Sequence, residues 1–351
     1  MAIFRAFGKK PGGKILDELK GSPQFRDGAF QNLSPTITLV KGQSFVKILW
    51  RFMNKPSNTK PTSKIPTVIS DLKYPNEKNP VITWFGHSSY LIHLGSANIL
   101  VDPVFSGYAS PFSFGTPAFE GTDVYDVADL PEIDLLILTH DHYDHLDYKT
   151  VSLLKSSAKM ICTSLGVASH LLYWGFDSKK IIELDWWQSK DFENGISMTA
   201  APARHFSGRS FIRNKTLWSS FVLKKDGYTI YIGGDSGYDD HFKRIGERFG
   251  PMDIAILEAG QYDVNWPQIH MMPEETVQAS IDLNAKLLLP VHWGKFSLSL
   301  HPWNEPIIRV RKKAQELGVK VASPMIGEPL IIGREIPEHE WWIFETRSST
   351  T

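Results

Sequence analysis

The run Thr139-His-Asp-His-Tyr-Asp-His-Leu-Asp places four metal-type ligands, His140, His142, Asp144 and His145, within six residues, directly behind the apolar stretch 133–138. A lone histidine is ordinarily a satisfied core or surface residue. Three at this spacing, with an aspartate between the last two, are hard to explain without metal. The apolar stretch reads as a buried strand ending at Thr139, so the ligands fall on the loop at its C-terminal end. Side chains alternate in an extended segment, which points His140 and His142 the same way, at one ion. The chain must then turn, aiming Asp144 and His145 at a second point a few ångströms away. One short loop can thus serve two metals at the ~3.5–4 Å separation of hydrolytic two-metal sites. Any fold for this chain has to bring further ligands to the end of that strand.

A two-metal site needs about seven ligands, and other strand ends supply candidates. His205 follows the apolar run 198–201, Asp235 follows 230–232 in Gly-Gly-Asp-Ser-Gly, and His292 follows Leu287-Leu-Leu-Pro-Val. Each is a weak signal alone; as a set they complete the His140–His145 cluster. The same Gly-Asp-Ser-Gly matches a serine-protease sequence, but nothing else in the chain supports Ser236 as a nucleophile. Strands are expected at 81–85, 89–94, 98–101, 133–138, 159–163, 181–184, 197–201, 218–224, 229–233, 254–257, 287–290 and 330–332. Helices are expected at 148–156, with Asp147 as N-cap, and at 164–174, 239–249, 273–284 and 305–317. Strands with intervening helices imply a sheet-based layer structure. The long loop 105–122, rich in Gly, Pro, Ser and Phe, is of a size usually reserved for function or a lid.

Composition narrows the setting. With 351 residues, 42% of them hydrophobic, the chain can bury a large core, and its zero formal net charge gives no support for nucleic acid as a partner. A single cysteine, Cys162, excludes an internal disulfide framework, fits a reducing compartment and removes thiolate from the ligand set. No stretch approaches the ~18 apolar residues of a membrane span, and the start lacks a signal-peptide core. A soluble cytoplasmic protein is expected. Residues 1–64 read as a basic N-terminal extension packed on or flanking the main domain, 65–351, with twelve Lys or Arg against Asp17, Glu18 and Asp27. Within it, residues 44–55 read as an amphipathic helix with basic flanks. Docking of its apolar face on the main body is the favoured reading; peripheral contact with the inner membrane face is the other.

The whole series resembles the metallo-β-lactamase superfamily, with its His-x-His-x-Asp-His signature and downstream His, Asp and His. More narrowly it is similar to the N-acyl-phosphatidylethanolamine-hydrolysing phospholipase D branch and its bacterial relatives. That likeness rests on Trp84-Phe-Gly-His-Ser-Ser, Leu100-Val-Asp-Pro-Val-Phe-Ser, the 139–148 run and His270-Met-Met-Pro-Glu-Glu, and it extends over about residues 65–333. The resemblance implies an α+β fold, a four-layered αβ/βα sandwich with a dinuclear site at one edge of its sheets. It assigns His140, His142 and His205 to one ion and Asp144, His145 and His292 to the other, with Asp235 bridging. Ligands of N and O type without thiolate suit zinc, with iron or manganese as the other candidates. Asp102 is expected to orient a ligand imidazole through its free N–H. His87 is either a second such residue or an ordinary strand-end histidine.

The implied activity is hydrolysis of an amphiphilic phosphodiester, in the manner of a phospholipase D, by a hydroxide shared between the ions, with Asp144 orienting it. His270 is expected to bind the substrate phosphate or assist the leaving group, its alternative being a surface histidine at a helix entry. Trp266 and Trp293, beside His270 and His292, are the tryptophans expected to contact substrate. A small-molecule or lipid-like substrate is expected, with oligomerisation left open. Two other functions stay in view: a lactone, amide or ester hydrolase on the same site, and a non-hydrolytic lipid-binding or di-iron redox protein. Against the last, the di-iron branch usually carries Glu where His142 stands.

Overall fold

Alternation along the strands decides the architecture. In the computed structural model, which describes residues 2–40, 50–74, 77–210 and 212–343, successive residues of each central strand enter different apolar layers. Two short strands, β1 (Phe25–Arg26) and β2 (Ala29–Phe30), pair across Asp27-Gly28, both at positive φ as a two-residue hairpin turn requires. Then follow β3 (Val81–Trp84), β4 (Tyr90–Leu94), β5 (Ala97–Val101), β6 (Ile133–Leu138), β7 (Ala158–Ser164) and β8 (Ile181–Leu184). The second series is β9 (Ser189–Asp191), β10 (Ser197–Ala201), β11 (Ser220–Lys225), β12 (Tyr228–Ile232), β13 (Ile254–Glu258) and β14 (Leu288–Val291), and β15 (Pro329–Ile331) closes the chain's strands.

They form a seven-stranded sheet ordered β15-β3-β4-β5-β6-β7-β8 and a six-stranded sheet ordered β14-β13-β12-β11-β10-β9. Along β6, Leu135 and Ile137 enter the layer between the sheets, whereas Ile133, Leu136 and Leu138 face the outer layer beneath helices Tyr148–Leu153 and Ala168–Tyr173. Along β13, Ile254 and Ile256 face inward while Ala255 and Leu257 meet helices His241–Phe249, Pro273–Asp282 and Glu305–Leu317. The result is the expected four-layered αβ/βα sandwich. Burial of apolar area on both faces of each sheet is the main force holding it together.

Direction matters more than layer. β5, β6, β7 and β8 are parallel, as are β12, β13 and β14, and β3 and β10 run with them through two antiparallel steps each. The C-terminal ends of β3, β5 and β6 on one sheet and of β10, β12, β13 and β14 on the other therefore carry the loops of one common edge. Asp147 caps the next helix as expected, its carboxylate accepting from Lys149 N and Thr150 N.

β9 escaped the sequence because Ser189-Lys-Asp is wholly polar and exposed, an edge strand with no buried face to leave a pattern. The N-terminal residues pack against the body: Leu19 and Phe30 join Trp186 and Trp218 in one apolar cluster, and Asn32 bonds both N–H and C=O of His205. Most of the expected 44–55 helix lies outside the described residues; 50–53 are helical, and Phe52 packs on Trp266. Among the described residues no helix is long and apolar enough to cross a membrane.

Candidate metal centre

β6 delivers its loop where its sequence suggested. Past Leu138 the strand ends and the chain turns, with His145 N and Leu146 N both bonding His142 O at 3.1 and 2.8 Å. That turn separates the four residues into two directions. His140 Nε2 lies 3.0 Å from His142 Nδ1, and His205, from the loop after β10, brings its Nε2 to 3.2 Å from the same atom. Asp235, after β12, adds Oδ2 at 3.7 Å from His140 and 3.6 Å from His205. Ligand atoms of His140, His142, His205 and Asp235 all lie within 4.8 Å of one another.

The second grouping is Asp144, His145 and His292 with His87. His145 Nε2 is 3.5 Å from Asp144 Oδ2 and 3.2 Å from Asp235 Oδ1, and His292 Nδ1 is 3.1 Å from the same Asp235 oxygen. Asp235 thus turns one oxygen to each grouping, the arrangement a bridging carboxylate requires. All seven residues expected as ligands converge, although they are scattered over 153 positions of chain, from 140 to 292.

Three of the imidazoles, His140, His145 and His205, are held through the nitrogen turned from the site. His145 Nδ1 pairs with Asp102 Oδ2 at 2.8 Å, and Asp102 is itself fixed by Thr139 N (2.9 Å) and Thr139 Oγ1 (2.6 Å). His205 Nδ1 donates to Ile269 O at 2.8 Å, leaving Nε2 for the site. Thr139 Oγ1 also lies 3.0 Å from His140 Nδ1, whereas Ser88 Oγ lies 2.8 Å from His292 Nδ1, the same nitrogen that faces Asp235. His87 is fully buried, its Nε2 2.9 Å from Asp144 Oδ2, so it touches the site. The backbone of this edge is strained: His87, Asp102 and His292 sit at φ of 53, 40 and 66°, a region costly for non-glycine residues and typical of functional sites. His87 and His292 hold each other there through His292 N→His87 O at 2.8 Å.

The donor set fits a divalent cation. Burial holds His140, His205 and His292 well below the ordinary histidine range, hence neutral. Burial would raise Asp144 and Asp235, but His145 and neighbouring imidazoles outweigh it and keep both carboxylates ionised. Neutral imidazole and ionised carboxylate are the protonation states metal ligands need. His145 departs from them: burial opposes its charge, but Asp235, Asp144 and Asp102 outweigh it and raise the ring, so it would give up a proton on binding a cation. His145 Nε2 and Asp235 Oδ1 are buried without hydrogen-bond partners, although each faces the site. Buried polar atoms are rarely left unpaired, and a cation between the groupings satisfies them.

His270 lies at the edge of both groupings, its ring centroid 5.0 Å from that of His205 and 5.3 Å from that of His292. It is not the surface histidine of the alternative reading. Its Nδ1 bonds Glu258 Oε2 at 2.8 Å, and Glu258 Oε1 accepts from Ser236 N and Met271 N. Burial opposes charge on His270, but the adjacent Glu258 carboxylate overrides it and raises the imidazole; burial raises Glu258 in turn. Sequence reasoning passed over Glu258 and Ser88. Glu258 ends an apolar strand as Asp102 follows one, and that placement was its available signal.

Of the two tryptophans, Trp266 is partly buried beside the 50–53 helical turn, its Nε1 bonded to Gln261 O. Trp293 is a correction. Its side chain is 1% exposed and packs among Trp84, Trp341 and Trp342 between the sheets, with Nε1 bonded to Pro290 O. The turn that presents His292 to the site sends the next side chain into the core, where a large apolar ring gains most. Ser236 is buried too, its hydroxyl engaged by Arg204 N and Gly237 O.

Comparison with known proteins agrees with this geometry. The family model described as Beta-lactamase superfamily domain matches residues 97–293, a span that holds all seven converging residues. An uncharacterised protein of Mycobacterium tuberculosis is 37% identical over 326 residues, 92% of this chain and 87% of its own. The N-acyl-phosphatidylethanolamine-hydrolyzing phospholipase D 1 of Caenorhabditis elegans is 30% identical over 279 residues, 75% of this chain and 77% of its own. Among solved structures, Igni18, a metallo hydrolase of the archaeon Ignicoccus hospitalis, superposes with a TM-score of 0.58 at 21% identity, covering 73% of this chain and 100% of that one.

Proposed function

Because this chain belongs to the metallo-β-lactamase superfamily of metal-dependent hydrolases, we propose that it is a dinuclear phosphodiesterase of phospholipase D type, acting on an amphiphilic phosphodiester with zinc as its metal. His140, His142 and His205 would hold one ion and Asp144, His145 and His292 the other, with Asp235 between them. Bound there, a pair of divalent ions supplies a water that ionises near neutral pH and neutralises charge on the ester oxygens. Asp144, fixed by His87 and held ionised, would orient that water. As the water oxygen bonds to phosphorus, the bond to the leaving alcohol breaks and its oxygen needs a proton. His270 would give it: Glu258 engages Nδ1 and keeps the ring charged, which would leave Nε2 for the leaving oxygen.

The observation that carries the reading is this buried His270–Glu258 pair beside both groupings, a cationic donor that suits a phosphate. The rim supports an amphiphilic substrate. Trp50, Met53 and Val264 are 63, 77 and 72% exposed. They lie on segments that pack together through Phe52–Trp266, and Ile37 N bonds Gln268 Oε1, two residues before His270. Arg51 and Lys55 flank these residues in sequence, but Arg51 pairs with Asp263 and Lys55 donates to Ser297 O, so the apolar side chains carry the argument for an amphiphile.

The test is turnover by protein loaded with zinc or with manganese, on bis-(p-nitrophenyl) phosphate, N-acyl-phosphatidylethanolamine micelles and a panel of lactones. Release of phosphatidic acid is the expected product. Lactone turnover without phosphodiester turnover would make it a lactone, amide or ester hydrolase, and iron with oxygen consumption a redox protein.

A further inference from the structure

Behind the ligand loop lies a set of buried polar groups that the proposed chemistry does not use. Asp141 alternates away from His140 and His142, and its carboxylate is buried, with Oδ1 accepting from Gly208 N at 2.7 Å and Oδ2 3.3 Å from His170 Nε2. The other ring nitrogen of His170 accepts the N–H of Lys9 at 3.0 Å. That fixes His170 as a neutral ring with its proton on Nε2, donating to Asp141.

Arg209 completes the set. It is 5% exposed, yet its hydrogen bonds go to backbone carbonyls. Nη1 reaches Asp141 O at 2.7 Å and Leu146 O at 2.8 Å, the two carbonyls that bracket His142, Asp144 and His145. Nε and Nη2 reach Ala6 O at 3.2 and 2.6 Å. The guanidinium also lies over the Tyr143 ring at 4.1 Å, and Tyr143 OH donates back to Arg209 O at 2.6 Å. Trp174, its ring 5.4 Å from the guanidinium, donates from Nε1 to Arg5 O at 2.8 Å. Residues 5–9 therefore satisfy three buried side chains that sit directly behind the ligand loop.

A buried cation is costly unless its donors are matched, and a planar five-donor fork can hold several carbonyls at once where an ammonium cannot. We propose that Arg209 is a positioning residue for the ligand loop, and that the N-terminal segment Arg5–Lys9 completes it, so that the start of the chain sets the metal affinity of a site it does not touch. Gly8 is the point at which this can be probed without altering a ligand or its contacts. It sits at φ +68°, and a Cβ there would meet His170 Nδ1 at 2.1 Å, so any side chain must push the segment off His170.

The inference rests on the two-metal reading, and the parent protein's own zinc affinity tests that reading separately. Gly8→Ala, Arg209→Lys and Trp174→Phe are compared with the parent in the full-length chain, by chelator competition for zinc and by the visible spectrum of the cobalt-substituted protein. Gly8→Ala is expected to weaken zinc binding about tenfold and to change the cobalt spectrum, and Arg209→Lys to do at least as much. Gly8→Ala combined with Arg209→Lys should be no worse than Arg209→Lys alone, because both act through one clamp. Trp174→Phe keeps an aromatic ring beside Arg209 and removes the bond to Arg5 O, so it should show a shift of a few-fold in the same direction even if Gly8→Ala folds poorly. Parent-like zinc affinity and cobalt spectrum in Gly8→Ala and Trp174→Phe, whatever their melting temperatures, would overturn the proposal and leave the segment a stabilising strap.

Discussion

Asp102→Asn is the sharpest test of how the ligands are oriented. Asp102 Oδ1 accepts from Thr139 N, while Oδ2 accepts from Thr139 Oγ1 and pairs with His145 Nδ1. An asparagine of the same shape keeps the first bond, and the hydroxyl of Thr139 can reverse to accept from the new amide. The third bond cannot survive unchanged. The amide nitrogen in place of Oδ2 is a donor, so His145 Nδ1 must give up its proton to accept it. The proton then moves to Nε2, the atom that faces Asp144 and Asp235. A protonated Nε2 cannot ligate, so binding must either break the new bond or proceed without His145. Loss of such an orienting partner typically costs 10–100-fold in metal affinity, about 1.4–2.8 kcal/mol at ~1.4 per decade. Stability of the metal-free protein should also fall, because the Asp102 carboxylate helps hold the buried His145 ring charged there and a neutral amide leaves that cation without its partner. Zinc affinity by chelator competition and melting of the stripped protein separate the two effects. Parent-like zinc affinity in Asp102→Asn would refute the reasoning.

Other outcomes follow from the same structure. His270→Asn should lower kcat on a phosphodiester by about 10²–10³-fold, within the range of general acid catalysis, with metal content unchanged; a lost metal ion would make it a ligand instead. Trp293→Ala should cost on the order of 3–5 kcal/mol in urea unfolding, as a buried aromatic does, whereas a substrate-facing ring would cost little and raise KM. Burial at the edge strand β8 pushes the half-buried Glu183 carboxyl up to about 7. A folded pKa above the unfolded ~4.3 contributes stability that is complete below that value and is lost as pH rises through about 7. Melting temperature should therefore fall between pH 5 and 8. Glu183→Gln, which keeps an acceptor for Ala168 N, should flatten that slope and gain on the order of 1–2 kcal/mol at pH 8; an unchanged slope would count against the assignment.

The site was legible because ligand chemistry uses few residue types at strand ends, and strand ends are marked by apolar runs that stop. His140, Asp235 and His292 all carry that mark. The boundaries of β6, β8 and β10 were legible for the same reason. What the pattern hides is anything set by tertiary approach. Glu258 reads as one more residue after Ile-Ala-Ile-Leu until β13 lies beside His270. Arg209 looks like a surface cation until Asp141 O, Leu146 O and Ala6 O converge on it. Trp293 was misjudged because adjacency to His292 in sequence says nothing about direction where φ turns positive.

The central claim is two ions held at defined places, and anomalous diffraction from crystals of zinc-loaded protein measures it directly. Two peaks are expected, about 3.5–4 Å apart, one among His140, His142 and His205 and one among Asp144, His145 and His292, with Asp235 between. A single peak, or a peak in the third possible grouping of Asp235, Glu258, His270 and His292, would contradict it.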